Sequence, residues 1–393
     1  MTTLLILIYI AFISLGLPDA IMGSAWPILH IDLNVPVTYA GIFSMIVSCG
    51  TIVSSLLSER LIIRFGTGKI TVISVMATAI GLLGIYLSPS YLWICLLAIP
   101  LGLGAGAVDS ALNNFIALHY KAKHMSWLHC FWGIGATAGP LIMSFFLLRG
   151  LGWRLGYGSI GLIQVLLVIC LFASLPLWRK IESSSEETKS ITSSKGATRI
   201  ADLLKLPAAK PALIAFFCYC AVETTAGLWG SSYLVMVKGI SAEQAAQWVA
   251  IYYFGITIGR LFSGFVAIKL NNTKLIRLGQ IIGILGAVTL LLPLPTFVQL
   301  IGLLLIGFGL APIFPSMLHD TPNRFGKEMS QGIMGIQMAT AYVGQTLVPP
   351  LFGLLASVVS FQLLPFFLLG LFILMLFTSE IVKKSSESKD VKM

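Results

Sequence analysis

Three carboxylic acids sit inside apolar stretches of this chain: Asp19, Asp109 and Glu223. Asp109 has the most telling surroundings, the run LGLGAGAVDSALNN from Leu101 to Asn114. No other charged residue lies between Lys69 and Lys121. Read as a helix, Gly102, Gly106, Asp109 and Asn113 share one face, small then polar. A lipid-facing carboxylate at that depth costs about 2.5–3.5 kcal/mol, so the face must look toward protein or water. The glycines suit close helix packing. Asp109 with Asn113 and Asn114 reads instead as a solute or ion site. A carboxyl removed from water holds a proton more readily. The three acids lack an equal set of buried cations, so binding and release of a proton is the chemistry expected of at least one of them.

The other polar groups at membrane depth suggest a hydroxylated ligand. Glu223 lies near Tyr219 and Gly227, one turn away on each side, and the glycine is expected to leave room for a ligand beside the carboxylate. Trp229 adds a ring that could stack on a sugar face. Trp26 reads as an interfacial belt residue. Gln337 shares a helix face with Thr340 and Gly344, and Gln164 reads as structural. His129, with Trp132, Ala136 and Pro140 at helical spacing, suits a proton relay, a solute ligand or a capped interfacial position. His119, His124 and His129 recur every five residues, which scatters them around a helix and argues against a metal site. Arg260 stands about two turns from a helix end, toward which it is expected to snorkel.

The elements that must position these groups are membrane helices. The 393 residues are 57% hydrophobic and 10% charged, with mean hydropathy +0.94, and apolar runs of about 20 residues recur throughout. Twelve spans are expected, from 4–28 to 360–381. Residues 179–209 interrupt them with a polar, flexible stretch. Its last part, RIADLLKL at 199–206, is amphipathic and expected to lie along the inner membrane surface. The spans divide into 1–178 and 210–382, with a polar tail over 383–393. Most of the 25 Lys and Arg fall in alternate connections, which places both termini in the cytoplasm of a cell-membrane protein. The same distribution explains the net charge of +10 without nucleic acid. All six cysteines fall within spans and read as packed apolar residues.

The two halves echo one another. Asp19 precedes Glu223 by 204 residues, Gly102-x-Gly104 precedes Gly307-x-Gly309 by 205, and Thr51 and Thr67 precede Thr257 and Thr273 by 206. Four matches in order, Met125-Ser126 with Met329-Ser330 among them, argue for a duplicated six-helix unit. Such duplication suits alternating access, in which one half moves against the other about a midplane site.

The chain resembles the major facilitator superfamily, and within it the fucose–galactose–glucose:proton symporter group and its sodium-glucose-transporter-like relatives. The carrying residues are SERLIIRFGTGK at Ser58–Lys69, GLPDAIMGSAWP, AVDSALNNF, WLHCFWGIGATAGPL, AVETTAGLWGSSYL and GFGLAPIFPS. The resemblance implies an all-α polytopic fold of twelve helices in two pseudo-symmetric bundles. It implies proton coupling at Asp109 with Asn113 four residues on, and a functional aspartate in helix 1, here Asp19. It makes Glu59 and Arg60 part of a gate, to which Arg260 is added. The expected function is secondary transport of a small polar solute, a sugar or sugar-like metabolite. Glu223 would contact solute or take a proton, with Asn113, Asn114, His129, Trp229, Gln337 and Asp19 as further solute ligands. The expected partners are the solute, a proton (sodium being the alternative ion) and the bilayer; the expected carrier is a monomer without a cofactor. A proton-driven drug or metabolite exporter and a solute sensor on a carrier scaffold are the alternatives. An enzyme is not expected, since neither HExxH nor GxSxG occurs.

Overall fold

A computed structural model describes residues 2–120, 122–178, 205–206, 208–266, 270–293, 295–325 and 327–390. The amphipathic stretch 199–206 falls almost wholly outside them. The first group of helices is α1 (Thr2–Asp19), α2 (Ile21–Asp32), α3 (Tyr39–Phe65), α4 (Thr67–Tyr86), α5 (Tyr91–His119), α6 (Ala122–Leu148) and α7 (Gly152–Ala173). The second is α8 (Ala209–Lys238), α9 (Ala242–Val266), α10 (Asn272–Leu291), α11 (Thr296–Leu310), α12 (Ile313–Phe325), α13 (Lys327–Val358) and α14 (Leu364–Asp390), with a 3-10 turn at Phe361–Leu363.

Among the described residues, eleven stretches are long and apolar enough to cross a membrane, with α1–α2 and α11–α12 each counting as one. The helix α9 is apolar over Val249–Val266, where Arg260 is the one charged residue. Its 25 residues still exceed the roughly 20 that a span needs, and it fills the place of the twelfth.

Two spans are broken by proline. Pro18 removes a backbone donor from α1 and leaves the Ser14 carbonyl without its usual partner one turn back. Gln164 on α7 replaces that donor: its Nε2 donates to the Ser14 carbonyl, and the Ser14 hydroxyl donates to Gln164 Oε1 at 3.0 Å. The helix then ends at Asp19 and restarts at Ile21. Pro312 stands at the junction between α11 and α12. By contrast α14 continues to Asp390, through the polar residues from 383 on. Neither glycine nor proline follows Gly370 within the helix, so nothing in the backbone chemistry stops it.

The chain separates into two compact units, 1–193 with 240–250, and 194–239 with 251–393. The first turns of α9 thus belong to unit 1. There the Ser144 hydroxyl donates to the Glu243 carbonyl at 2.9 Å.

Each unit repeats the same packing. In unit 1, a Cβ on Gly102 of α5 would run into the Val47 carbonyl of α3, and one on Gly104 would meet Ser74 and Thr78 of α4. In unit 2, Gly307 of α11 meets the Tyr252 carbonyl of α9, and Gly309 meets Gly279 and Gly283 of α10. Every partner stands 205 residues after its counterpart. The duplication read from scattered matches is therefore a duplication of helix contacts, made where glycine lets backbones approach.

Candidate functional site

In unit 1, Asp109 lies on α5 beside the buried core residues Val108 and Leu112 and is itself half-buried. Asn113, one turn on, donates from Nδ2 to Asp109 Oδ1 at 3.0 Å and to its backbone carbonyl at 3.0 Å. An i, i+4 pair on one helix allows this contact without outside help. No ion pair engages Asp109 among the described residues. Asn114 is exposed and His129 half-buried, the latter edge-on to Phe12 with ring centroids 6.0 Å apart.

Asp19 closes α1 and is exposed. Trp132 on α6 donates from Nε1 to its Oδ2 at 2.7 Å. The two helices come close because a Cβ at Gly16, Gly135 or Gly139 would strike the opposite backbone. Trp132 is a partner that the sequence placed on the His129 face without assigning it a bond.

In unit 2, Glu223 is midway along α8. Its Oε1 meets Arg260 Nη2 of α9 at 3.3 Å, with side-chain exposures of 16% and 15%. The same Nη2 donates to the Tyr219 hydroxyl at 3.4 Å, and the Tyr252 hydroxyl donates to the Glu223 backbone carbonyl at 3.0 Å. Arg260 therefore does not snorkel: a carboxylate at membrane depth holds it, and the expected deficit of buried cations fails at Glu223. Gly227 also differs from expectation, for the space beside it holds the Tyr253 hydroxyl. The signal was present in Tyr252, Ile256 and Arg260, which repeat every four residues along α9.

Trp229 is fully buried, donates from Nε1 to the Pro349 carbonyl at 2.8 Å and packs beside Phe352 and Phe361. Its ring belongs to the helix packing and offers no open stacking surface. Trp26 is likewise buried in unit 1 and donates to the Val37 carbonyl at 2.7 Å, so it is no belt residue. Gln337 is 2% exposed and accepts from the Thr321 hydroxyl at 3.1 Å. It lines a small cavity with Thr321, Arg324, Phe216 and Ser379, apart from Glu223 in sequence and contacts. Arg60 is exposed near the end of α3, and the Glu59 side chain lies outside the described residues. No cluster of His, Cys, Asp and Glu suited to a metal occurs among the described residues.

The sequence profile of the Major Facilitator Superfamily matches residues 8–338. Bypass of stop codon protein 6 of Saccharomyces cerevisiae is 25% identical over 412 aligned positions, covering 94% of this chain and 80% of that protein. The glucose/mannose transporter GlcP of Bacillus subtilis is 23% identical, with 88% and 86% covered. The cis,cis-muconate transport protein of Acinetobacter baylyi is 24% identical, with 83% and 80% covered. Among solved structures, a D-xylose-proton symporter superimposes with a TM-score of 0.75 at 14% identity, covering 97% of each chain. A bacterial homologue of the human lysosomal transporter Spinster gives 0.68 at 13%, covering 98% and 97%. At such identity the structural likeness establishes the fold.

Proposed function

Because the chain belongs to the major facilitator superfamily and is a multi-pass membrane protein, we propose that it carries a small, polar, sugar-like solute by alternating access, with a proton as coupling ion. Asp109 is the observation that carries this reading. It is a carboxylate at membrane depth whose bonded partner is an amide and not a cation. Taking a proton there removes a charge from an apolar interior and strands no partner, which is what a coupling site requires. Glu223 already has Arg260, so it serves the solute. Asn113 orients Asp109, while Asn114 and His129 are further candidate contacts. Glu59 and Arg60 belong to the gate.

Relatives named for glucose/mannose transport and D-xylose–proton symport support the sugar-like solute and the proton. The protein acts as a carrier without catalysis, as a monomer, in the cell membrane with both termini in the cytoplasm; the basic residues of alternate connections support that orientation. The test is uptake into liposomes holding purified protein, with and without an inward proton gradient. Hexose or pentose accumulation that follows the gradient is expected. Exchange without accumulation under any gradient would remove the proton from the mechanism.

A further inference from the structure

We infer that Arg260 anchors a carboxylate on the solute, and that Glu223 releases Arg260 for it by taking a proton. The solute class is then hydroxylated acids, such as uronates and aldonates. This rests on the carrier reading above and narrows its substrate.

Four ion pairs are described in the molecule, and three look like locks. Arg277 grips both carboxylate oxygens of Glu380, Arg324 pairs with Asp320 within α12, and Arg154 meets Asp32 at 2.8 Å. Arg154 with Asp32, and Arg324 with Asp320, stand toward helix ends. The fourth, Arg260 with Glu223, is midway along α8 and makes one contact at 3.3 Å, long against the roughly 2.7–2.9 Å of a firm charge-assisted bond. Both side chains keep about one-sixth of their surface accessible. A pair meant only to hold helices gains most from a short, two-point contact.

The choice of cation points the same way. A guanidinium is a planar fork that matches a carboxylate on two atoms. Hydroxyls of a neutral sugar need only the acceptor that Glu223 already provides. The balance of charge then requires the proton. Arg260 with ionised Glu223 is neutral overall. Adding a carboxylate would leave one net negative charge at membrane depth, where charge is expensive. One proton, arriving from water onto a Glu223 oxygen, restores neutrality; no bond in the solute changes. The Tyr219 hydroxyl accepts from the Arg260 guanidinium, and the Tyr252 hydroxyl ties α9 to α8 at the Glu223 backbone carbonyl.

The titratable groups around Glu223 are Tyr219 and Cys220 on its own helix, and Tyr252, Tyr253 and Arg260 on α9. The helices packed on α8 add His319 and the paired Asp320 and Arg324 from α12, Tyr342 from α13, and Glu380, Lys383 and Lys384 from α14, with Glu380 held by Arg277.

The test is equilibrium binding of D-glucuronate and D-glucose to the full-length protein from pH 5.5 to 8.5. Asp109→Asn is the background, so that remaining pH dependence belongs elsewhere. Glucuronate should tighten by up to about tenfold per pH unit lowered, the limit for one linked proton, while glucose stays level. Adding Glu223→Gln should flatten the glucuronate profile at its low-pH affinity. Adding Arg260→Gln should weaken glucuronate at least about tenfold more than it weakens glucose; should that variant misfold, Glu223→Gln with Arg260→Gln is compared with Glu223→Gln alone, and the same excess loss of glucuronate over glucose is expected. Glucose binding with no glucuronate binding at any pH would overturn the inference and leave the carrier reading standing. A glucuronate slope that survives Glu223→Gln would also overturn it. Failure of wild type to bind or exchange either compound would remove both.

Discussion

Asp19 and Glu223 stand 204 residues apart at matching places in a duplicated unit, yet they are built into opposite surroundings. Asp19 ends a helix that Pro18 breaks, is exposed, and takes a hydrogen from the neutral Trp132 indole at 2.7 Å. Glu223 lies within an unbroken helix and faces a guanidinium. Asp109 follows the first pattern, with an amide as its partner. So Asp19 and Asp109 have neutral donors as their described side-chain partners, and Glu223 has a cation. A change of charge at Asp109 strands no ion-pair partner among the described residues. The same change at Glu223 leaves Arg260 to be satisfied. One repeat position accounts for much of this: Ser55 stands 205 residues before Arg260, and its hydroxyl donates to the Gly106 carbonyl at 3.2 Å. The same helix scaffold holds a small hydroxyl in one copy and a charge in the other.

The contrast can be broken most sharply at Arg260. Arg260→Leu should cost about 3–5 kcal/mol, the range for removing one member of a buried pair, with the partial exposure of this one favouring the lower end. Unfolding in mixed micelles measures it, and adding Glu223→Gln should recover most of the loss. A double variant as unstable as the single would show that the stranded carboxylate is not the cause. The shared scaffold is probed by Gly102→Ala and Gly307→Ala. Each places a methyl against a carbonyl at equivalent points, so each should lose about 1–3 kcal/mol, and by similar amounts. A large difference between the two would mean that the copies no longer pack alike.

Smaller effects belong to the indoles. Trp229→Phe removes the donor to the Pro349 carbonyl, and Trp132→Phe removes the donor to Asp19. Each should cost about 0.5–1.5 kcal/mol. Solute affinity should be unchanged in Trp229→Phe, because that ring is sealed by Phe352 and Phe361. A tenfold loss of affinity there would return Trp229 to the binding site.

The sequence made the scaffold legible because apolar runs, glycine spacing and a fixed offset are local signals. The 205-residue register of Gly102 and Gly307 survives down to their contact partners. The pairing of Asp109 with Asn113 was legible for the same reason, since i, i+4 on one helix needs no knowledge of a neighbour. Partners across helices were not. Nothing local says that Arg260 meets Glu223, 37 residues away, or that Gln164 replaces the donor that Pro18 removes from Ser14. Trp229 was misread because a ring near an acid looks the same in sequence whether it lines a cavity or fills a core.

The smallest effect on stability is expected at Asp109, where it carries the most meaning. Asp109→Asn preserves size and an acceptor for Asn113, whose amide bonds the side chain and the backbone carbonyl alike. It removes a charge that no ion pair compensates, so the unfolding free energy should be unchanged or slightly higher, within about 0.5 kcal/mol. Transport should divide in two. Counterflow, which exchanges solute without net proton movement, should continue. Accumulation against a gradient should fall to equilibration, because the variant can no longer move a proton with the solute. Both are measured on one liposome preparation, the second across an imposed pH difference. If Asp109→Asn still concentrates solute with the wild-type pH dependence, the neutral surroundings of unit 1 are structural, and the proton must be sought in the half of the molecule where the carboxylate already has a cation.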